Sequence, residues 1–257
     1  MKKRDDLESR PTLVFLHYFG GSAVSWDETV ALLEEEYHCL PLNLPGFGGT
    51  VVGDHLSLQT MAAEVSRQLQ GYNLKRAVLI GHSMGGKIAL QVAADNAGTM
   101  TLDQLILIAP SPPSVEKMPA EQQELLKHIP DETQALKNLR EATVLPLTLN
   151  QEKKAIKAQQ QMQVPVRTWW VEEGIYDDIS ADSIRLTLPV SVIASATDPA
   201  ITWKMTSEDS LPNLPRHSRL IKTTNIGHLI PLENAQWLAT TIRNLLVPSH
   251  NEQNIDS

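Results

Sequence analysis

The sequence predicts an α/β fold: a mostly parallel sheet with helices on both faces, interrupted by an inserted helical segment. Two patterns point there. Short, unbroken apolar runs rich in Val, Ile and Leu recur along the chain, as expected of strands buried on both faces. Stretches with apolar residues at helical spacing separate these runs, and such alternation builds parallel sheets.

The chain has 257 residues, 42% of them hydrophobic and 20% charged, enough to bury a sizeable core and too apolar for intrinsic disorder. A net charge of −8 repels phosphate backbones, so a nucleic-acid partner is not expected. The single cysteine, Cys39, excludes an internal disulfide and a thiolate metal cluster. Lys2, Lys3 and Arg4 are followed at once by Asp5, Asp6 and Glu8, and the first apolar run, Leu13 to Leu16, is too short for a signal-peptide core. No stretch reaches the ~18–20 apolar residues of a membrane helix. The expectation is a soluble cytoplasmic protein with a small-molecule partner and no membrane or nucleic-acid partner.

Strands are expected over Thr12 to Leu16, Tyr37 to Leu42, Ala77 to Ile80, Leu105 to Ala109, Leu188 to Ala194 and, more weakly, Arg219 to Thr223. After the first strand, Ser25 with Glu28 three residues on reads as a capping box that opens a helix reaching about Glu36. Further helices fit Leu58 to Leu69, Lys87 to about Ala94 and Glu233 to Leu246. From Ser111 to Leu188 the chain turns polar, with helical patterns over Glu121 to Ile129, Thr133 to Arg140 and Gln151 to Met162, and with Pro130, Pro146 and Pro165 as punctuation. The division expected is therefore a sheet domain of residues 1–110 and 189–257 with a helical cap of residues 111–188. The polar tail from Pro248 to Ser257 is expected to be loose.

In open parallel sheets, sites form at the carboxyl ends of strands. The third strand runs into Gly81-His82-Ser83-Met84-Gly85, a G-x-S-x-G pattern between a strand and a helix. A serine on so sharp a turn is held strained, its hydroxyl projecting above the sheet and a helix amino terminus beginning behind it. Gly81 to Lys87 also begins a Walker A pattern, but Ile88 stands where that motif needs a hydroxyl for Mg²⁺. A serine hydroxyl needs a base. Among eight histidines, His228 alone follows a strand and precedes the last helix; His82 should turn away from its neighbour's hydroxyl, and His38, His55, His128, His217 and His250 read as structural or exposed. Asp198, in Asp-Pro after the fifth strand, is at face value an ordinary turn former. The chain order Ser83, Asp198, His228 favours a catalytic acid.

These motifs resemble the α/β-hydrolase fold family, in particular its small bacterial serine esterase-like members with a helical cap. The likeness runs over about residues 12–246. His17-Tyr18-Phe19-Gly20-Gly21 stands where the family carries a His-Gly loop, with Tyr18 in place of glycine, and Asn43 to Gly48 is similar to its D-x-x-G-x-G loop, with Asn for Asp. Asp198 and His228 fall where the family places acid and base. The resemblance implies an oxyanion hole from the backbone N–H groups of Phe19 and Met84, His17 as a support of its loop, and hydrolysis of carboxylic esters without metal or organic cofactor. The serine argues against the dehalogenase and epoxide-hydrolase branches, which use Asp. Thioesters, lactones, carbon–carbon bonds and a non-catalytic receptor remain alternatives on this fold. Tyr18 is placed to project into the pocket. Trp169, Trp170 and Tyr176 either line an acyl pocket or pack the insertion onto the sheet domain.

Overall fold

A computed structural model describes residues 10–246 apart from Ala97 and Thr99; the charged amino-terminal residues and the tail from Pro248, with His250, lie outside the described residues. Six strands form one parallel sheet: β1 (Thr12–Leu16), β2 (Cys39–Leu42), β3 (Arg76–His82), β4 (Thr101–Ile108), β5 (Val190–Ser195) and β6 (Arg219–Thr223). Their order is β2-β1-β3-β4-β5-β6. The chain leaves β1 toward one edge and returns on its other side, so β1 and β3 are neighbours at the point where strand order reverses. Leu16 pairs with Gly81, which sets the loop after β1 beside the turn after β3. That crevice is where open α/β sheets bind ligands.

Strand residues alternate between two cores, because successive side chains point to opposite faces. Val14, Leu16, Leu79, Leu105, Leu107 and Val192 pack with the helices Leu58–Gly71 and Met84–Asp95. Leu13, Phe15, Val78, Ile80, Ile106 and Ile193 pack against Trp26, Leu33, Leu238 and Ile242 of the helices on the other face. Numbered in order, the longer helices are α1 (Asp27–Leu33), α2 (Leu58–Gly71), α3 (Met84–Asp95), α4 (Ala120–Lys127), α5 (Glu132–Ala142), α6 (Leu149–Gln161), α7 (Val164–Trp169) and α8 (Ala235–Leu246). Helices α4 to α7 all lie between β4 and β5. Asp131 and Thr148 cap α5 and α6, accepting the N–H of Gln134 at 2.7 Å and of Gln151 at 3.3 Å. Among the described residues no helix is long and apolar enough to cross a membrane.

Three local expectations are corrected. The turn before α1 opens at Ser22 instead of Ser25, and the Ser25 hydroxyl serves as the partner that accepts the Ser22 N–H. Strand β2 starts at Cys39, with Tyr37 buried in the core below it. The last helix is broken at Asn234, whose side chain accepts the Trp237 N–H at 3.0 Å and so caps α8 separately from the short turn Ile230–Glu233. Helix α7 had no counterpart in the sequence pattern. Pro165 read as a breaker there, yet it occupies the first turn, where its missing N–H costs nothing.

Candidate active site

Ser83 lies between β3 and α3 with φ 54° and ψ −119°, a positive φ that a residue with a side chain rarely adopts. The neighbours enforce it. The Ser83 N–H donates to Ile108 O of β4 at 2.9 Å, and its carbonyl accepts from Gly86 and Ser111 at 2.8 and 3.1 Å. The flanking glycines are required by space: a Cβ on Gly81 would lie 2.4 Å from Gly85 O, and one on Gly85 would lie 2.5 Å from His17 O. Glycine at both flanking positions thus lets β1 and α3 come this close.

Asp198 and His228 meet across the ends of β5 and β6. His228 Nδ1 donates to Asp198 Oδ2 at 2.8 Å, and Asp198 Oδ1 accepts the N–H groups of Ala200 and Ile201 at 2.8 and 2.9 Å. The Asp198 side chain is fully buried. The Ser195 and Thr197 hydroxyls both donate to Ile226 O, tying the acid's loop to the histidine's. Burial alone would depress the His228 pKa. The charge and hydrogen bond of Asp198, with Glu116 and Glu233 adding, outweigh it and raise the value above the ordinary 6.5.

Two further histidines are structural. His17 bridges loops: Nδ1 donates to Tyr18 O at 2.9 Å and Nε2 accepts the Leu44 N–H at 3.2 Å. Burial lowers its pKa to about 4, so the ring is neutral. His82 does turn away from the Ser83 hydroxyl: its Nε2 donates to the His228 carbonyl at 2.8 Å, with its ring 5.0 Å from that of His228 and 5.1 Å from that of Tyr18. Burial first, and then the His228 charge, push its pKa well below 6.5.

A cavity of about 1090 Å³ opens above these residues. Ser83 and His228 share its wall with Tyr18, Phe19, Leu139, Trp170 and Ile201. Asp198 stands behind His228, and the Met84 side chain is fully buried at the start of α3. Tyr18 fits its loop because Gly21 leaves room: a Cβ there would meet the Tyr18 ring at 2.7 Å. Asn43, for its part, accepts the Ala23 N–H at 2.7 Å. Of the three aromatic residues of the insertion, Trp170 lines the cavity. Trp169 packs edge-on against it within the core, and Tyr176 lies half exposed with its hydroxyl accepting from Gln123. Packing demands explain the split, since a buried indole fills the seam between α7 and the sheet domain.

Sequence reasoning missed three residues here. Glu116 is buried and lines the cavity. Arg167, also in the wall, donates to the carbonyls of Leu126, Gln159 and Met162, stapling the carboxyl ends of α4 and α6. Glu233 accepts four main-chain N–H groups, from Val144, Leu145, Gly227 and Leu229, at 2.8 to 3.1 Å. No short-range pattern marks these positions, because each also depends on partners distant in the chain.

A family model described as the alpha/beta hydrolase fold matches residues 11–235, and the chain belongs to that family. It is 40% identical over 86 residues to the uncharacterized hydrolase YugF of Bacillus subtilis, covering 33% of this chain and 32% of that protein. It is 31% identical over 102 residues to the pimeloyl-[acyl-carrier protein] methyl ester esterase of Vibrio atlanticus, covering 40% and 37%. The matched stretch is thus only about a third of each relative's length. The solved esterase EaEST from Exiguobacterium antarcticum superposes with a TM-score of 0.81 at 19% identity, covering 93% of this chain and 92% of that one. Likeness at that identity establishes shared fold.

Proposed function

We propose that the protein is a serine hydrolase that cleaves small carboxylic esters through an acyl-enzyme. The observation that carries the reading is the Asp198–His228 hydrogen bond set at the wall of the cavity that the strained Ser83 turn also lines. With Nδ1 committed to Asp198, Nε2 of His228 is the nitrogen free to take the Ser83 proton. The Ser83 oxygen attacks the acyl carbon, and charge gathers on the carbonyl oxygen. The Met84 N–H, at the first position of α3 and so without an intrahelical acceptor, meets that oxygen together with the Phe19 N–H. Protonated His228 passes its proton to the leaving alcohol. Water then adds to the acyl carbon with His228 again as base, releasing the acid and restoring Ser83.

In this reading residues 111–188 act as a cap, with Trp170 and Leu139 supplying apolar wall to the acyl group and Tyr18 narrowing the entrance near Ser83. The esterase among the relatives supports an ester substrate over a thioester, lactone or carbon–carbon bond. Fluorophosphonate labelling of the protein and of Ser83→Ala, followed by a panel of p-nitrophenyl esters of increasing chain length, tests it. Labelling confined to Ser83 and burst hydrolysis of the short esters are expected. Tight ligand binding without turnover would instead favour a receptor.

A further inference from the structure

One buried carboxyl of the cavity wall takes no part in the bond-making steps above. Glu116 is 8% exposed and shares the cavity wall with Ser83 and His228. Its loop is fixed from several sides: the Glu116 N–H donates to Ile175 O at 2.8 Å, the Ser114 hydroxyl donates to Asp209 O at 3.1 Å, and Ser114 O accepts from Lys87 Nζ at 3.1 Å. The backbone that carries this carboxyl is therefore firmly placed, on a wall where Phe19, Leu139, Trp170 and Leu229 supply apolar surface beside it. Among the described residues it joins no ion pair within 4 Å.

The nearest buried ammonium does not serve Glu116 alone. Lys87 is fully buried one turn beyond Ser83 on α3, and three carboxylates, Glu116, Asp177 and Asp178, act on that one ammonium. Burial pushes the Glu116 pKa up, and Ser111, Lys87 and His228 relieve only part of that cost. A desolvated carboxylate gains most from a ligand that brings its own charge and N–H donors, and repels an anionic one. Arg167, the buried cation in the cavity wall, spends its donors on three carbonyls.

We infer that Glu116 makes the Ser83 end of the cavity a subsite for substrates that carry a positively charged amine close to the scissile carbonyl. The inference rests on the serine-hydrolase reading and names the substrate class of that same site. Amino-acyl esters are favoured over neutral esters of equal size, and half-esters of dicarboxylic acids are disfavoured.

Three p-nitrophenyl esters of matched length test it: β-alanine, butyrate and hemisuccinate. In the native protein kcat/KM should favour β-alanine over butyrate by about tenfold, the order expected of a charge-assisted hydrogen bond. In Glu116→Gln the ratio should fall to near unity, and the hemisuccinate should gain on butyrate. Equal rates for the cationic and neutral esters in the native protein, or a preference that survives Glu116→Gln, would overturn the inference. A second arm does not need turnover. By calorimetry, Ser83→Ala should bind hexylammonium and not hexanoate, and Ser83→Ala/Glu116→Gln should lose the hexylammonium; a double variant that binds it as well as the single one refutes the role of Glu116. Absence of all ester hydrolysis would count against the serine-hydrolase reading, while this binding arm still decides the subsite.

Discussion

The Glu233 carboxylate accepts the Gly227 N–H at 2.8 Å through one oxygen and the Leu229 N–H at 3.1 Å through the other, so it grips the chain on both sides of His228. The same group also takes the N–H groups of Val144 and Leu145, just beyond α5. An amide cannot replace it, because one of its two ends is a donor facing donors. Glu233→Gln should lower ester-hydrolysis kcat at least tenfold and cost about 1–3 kcal/mol of stability. Steady-state kinetics beside urea denaturation check both. Loss of stability with kcat intact would reduce Glu233 to a structural strut.

Removal of the proposed nucleophile should be clean. Ser83→Ala should abolish hydrolysis of p-nitrophenyl acetate with little change in the urea midpoint, since the backbone at 83 is held by Ile108 and Gly86, not by the hydroxyl. Asp198→Asn should cut the rate by about 10⁴, as loss of the orienting acid does in other triads. An effect below tenfold would move the search for that acid to Glu116, whose charge also acts on His228.

The pH profile follows from the raised His228 pKa. The base works only when deprotonated, so kcat/KM should rise with pH through an inflection above 6.5 and fall away on the acid side. Glu116 helps raise that value, so Glu116→Gln should move the inflection to lower pH. An inflection in the native protein below 6.5 contradicts the account.

Acid should destabilise the protein well before its carboxylates titrate. His17 is neutral in the fold down to about pH 4, whereas the unfolded chain takes up that proton near 6.5. A depressed folded-state pKa gives stability that is complete above 6.5 and is lost as pH falls toward 4, about 3 kcal/mol from this ring alone. His82 contributes with the same sign. Urea midpoints at pH 7 and 4.5 measure the loss, and His17→Gln should shrink it. A loss just as large in His17→Gln as in the native protein would show that this ring is not held neutral.

Much of this was legible in the sequence because it is local or periodic. The alternation of Leu13, Phe15 against Val14, Leu16 reads directly as a strand with two buried faces, and β1 and β6 fall where the runs place them. Gly81, Ser83 and Gly85 announce the strained turn because their spacing is itself the steric requirement. The pairing of Asp198 with His228 was reachable from their places after strands together with the chain order Ser83, Asp198, His228. What stayed hidden depends on long-range placement. Tyr176 and Trp169 have the same aromatic character as Trp170, and only the packing of α7 decides which of them reaches the cavity. Glu233 stands where the sequence pattern starts the last helix, and two of its four N–H partners, Val144 and Leu145, come from a distant segment. Glu116 lies in a proline-rich loop whose course is set by Ile175 and Lys87, far along the chain or on another element.

The His228 N–H also donates to Ala142 O at 2.8 Å, at the end of α5. Together with the Glu233 grip on Val144 and Leu145, this fastens the insertion to the histidine loop at one seam. Grafting a foreign insertion here to alter selectivity would therefore unmoor the imidazole as well, unless the graft boundary leaves positions 142 to 145 native. Laboratory recombination should cut on either side of that tetrapeptide, never through it.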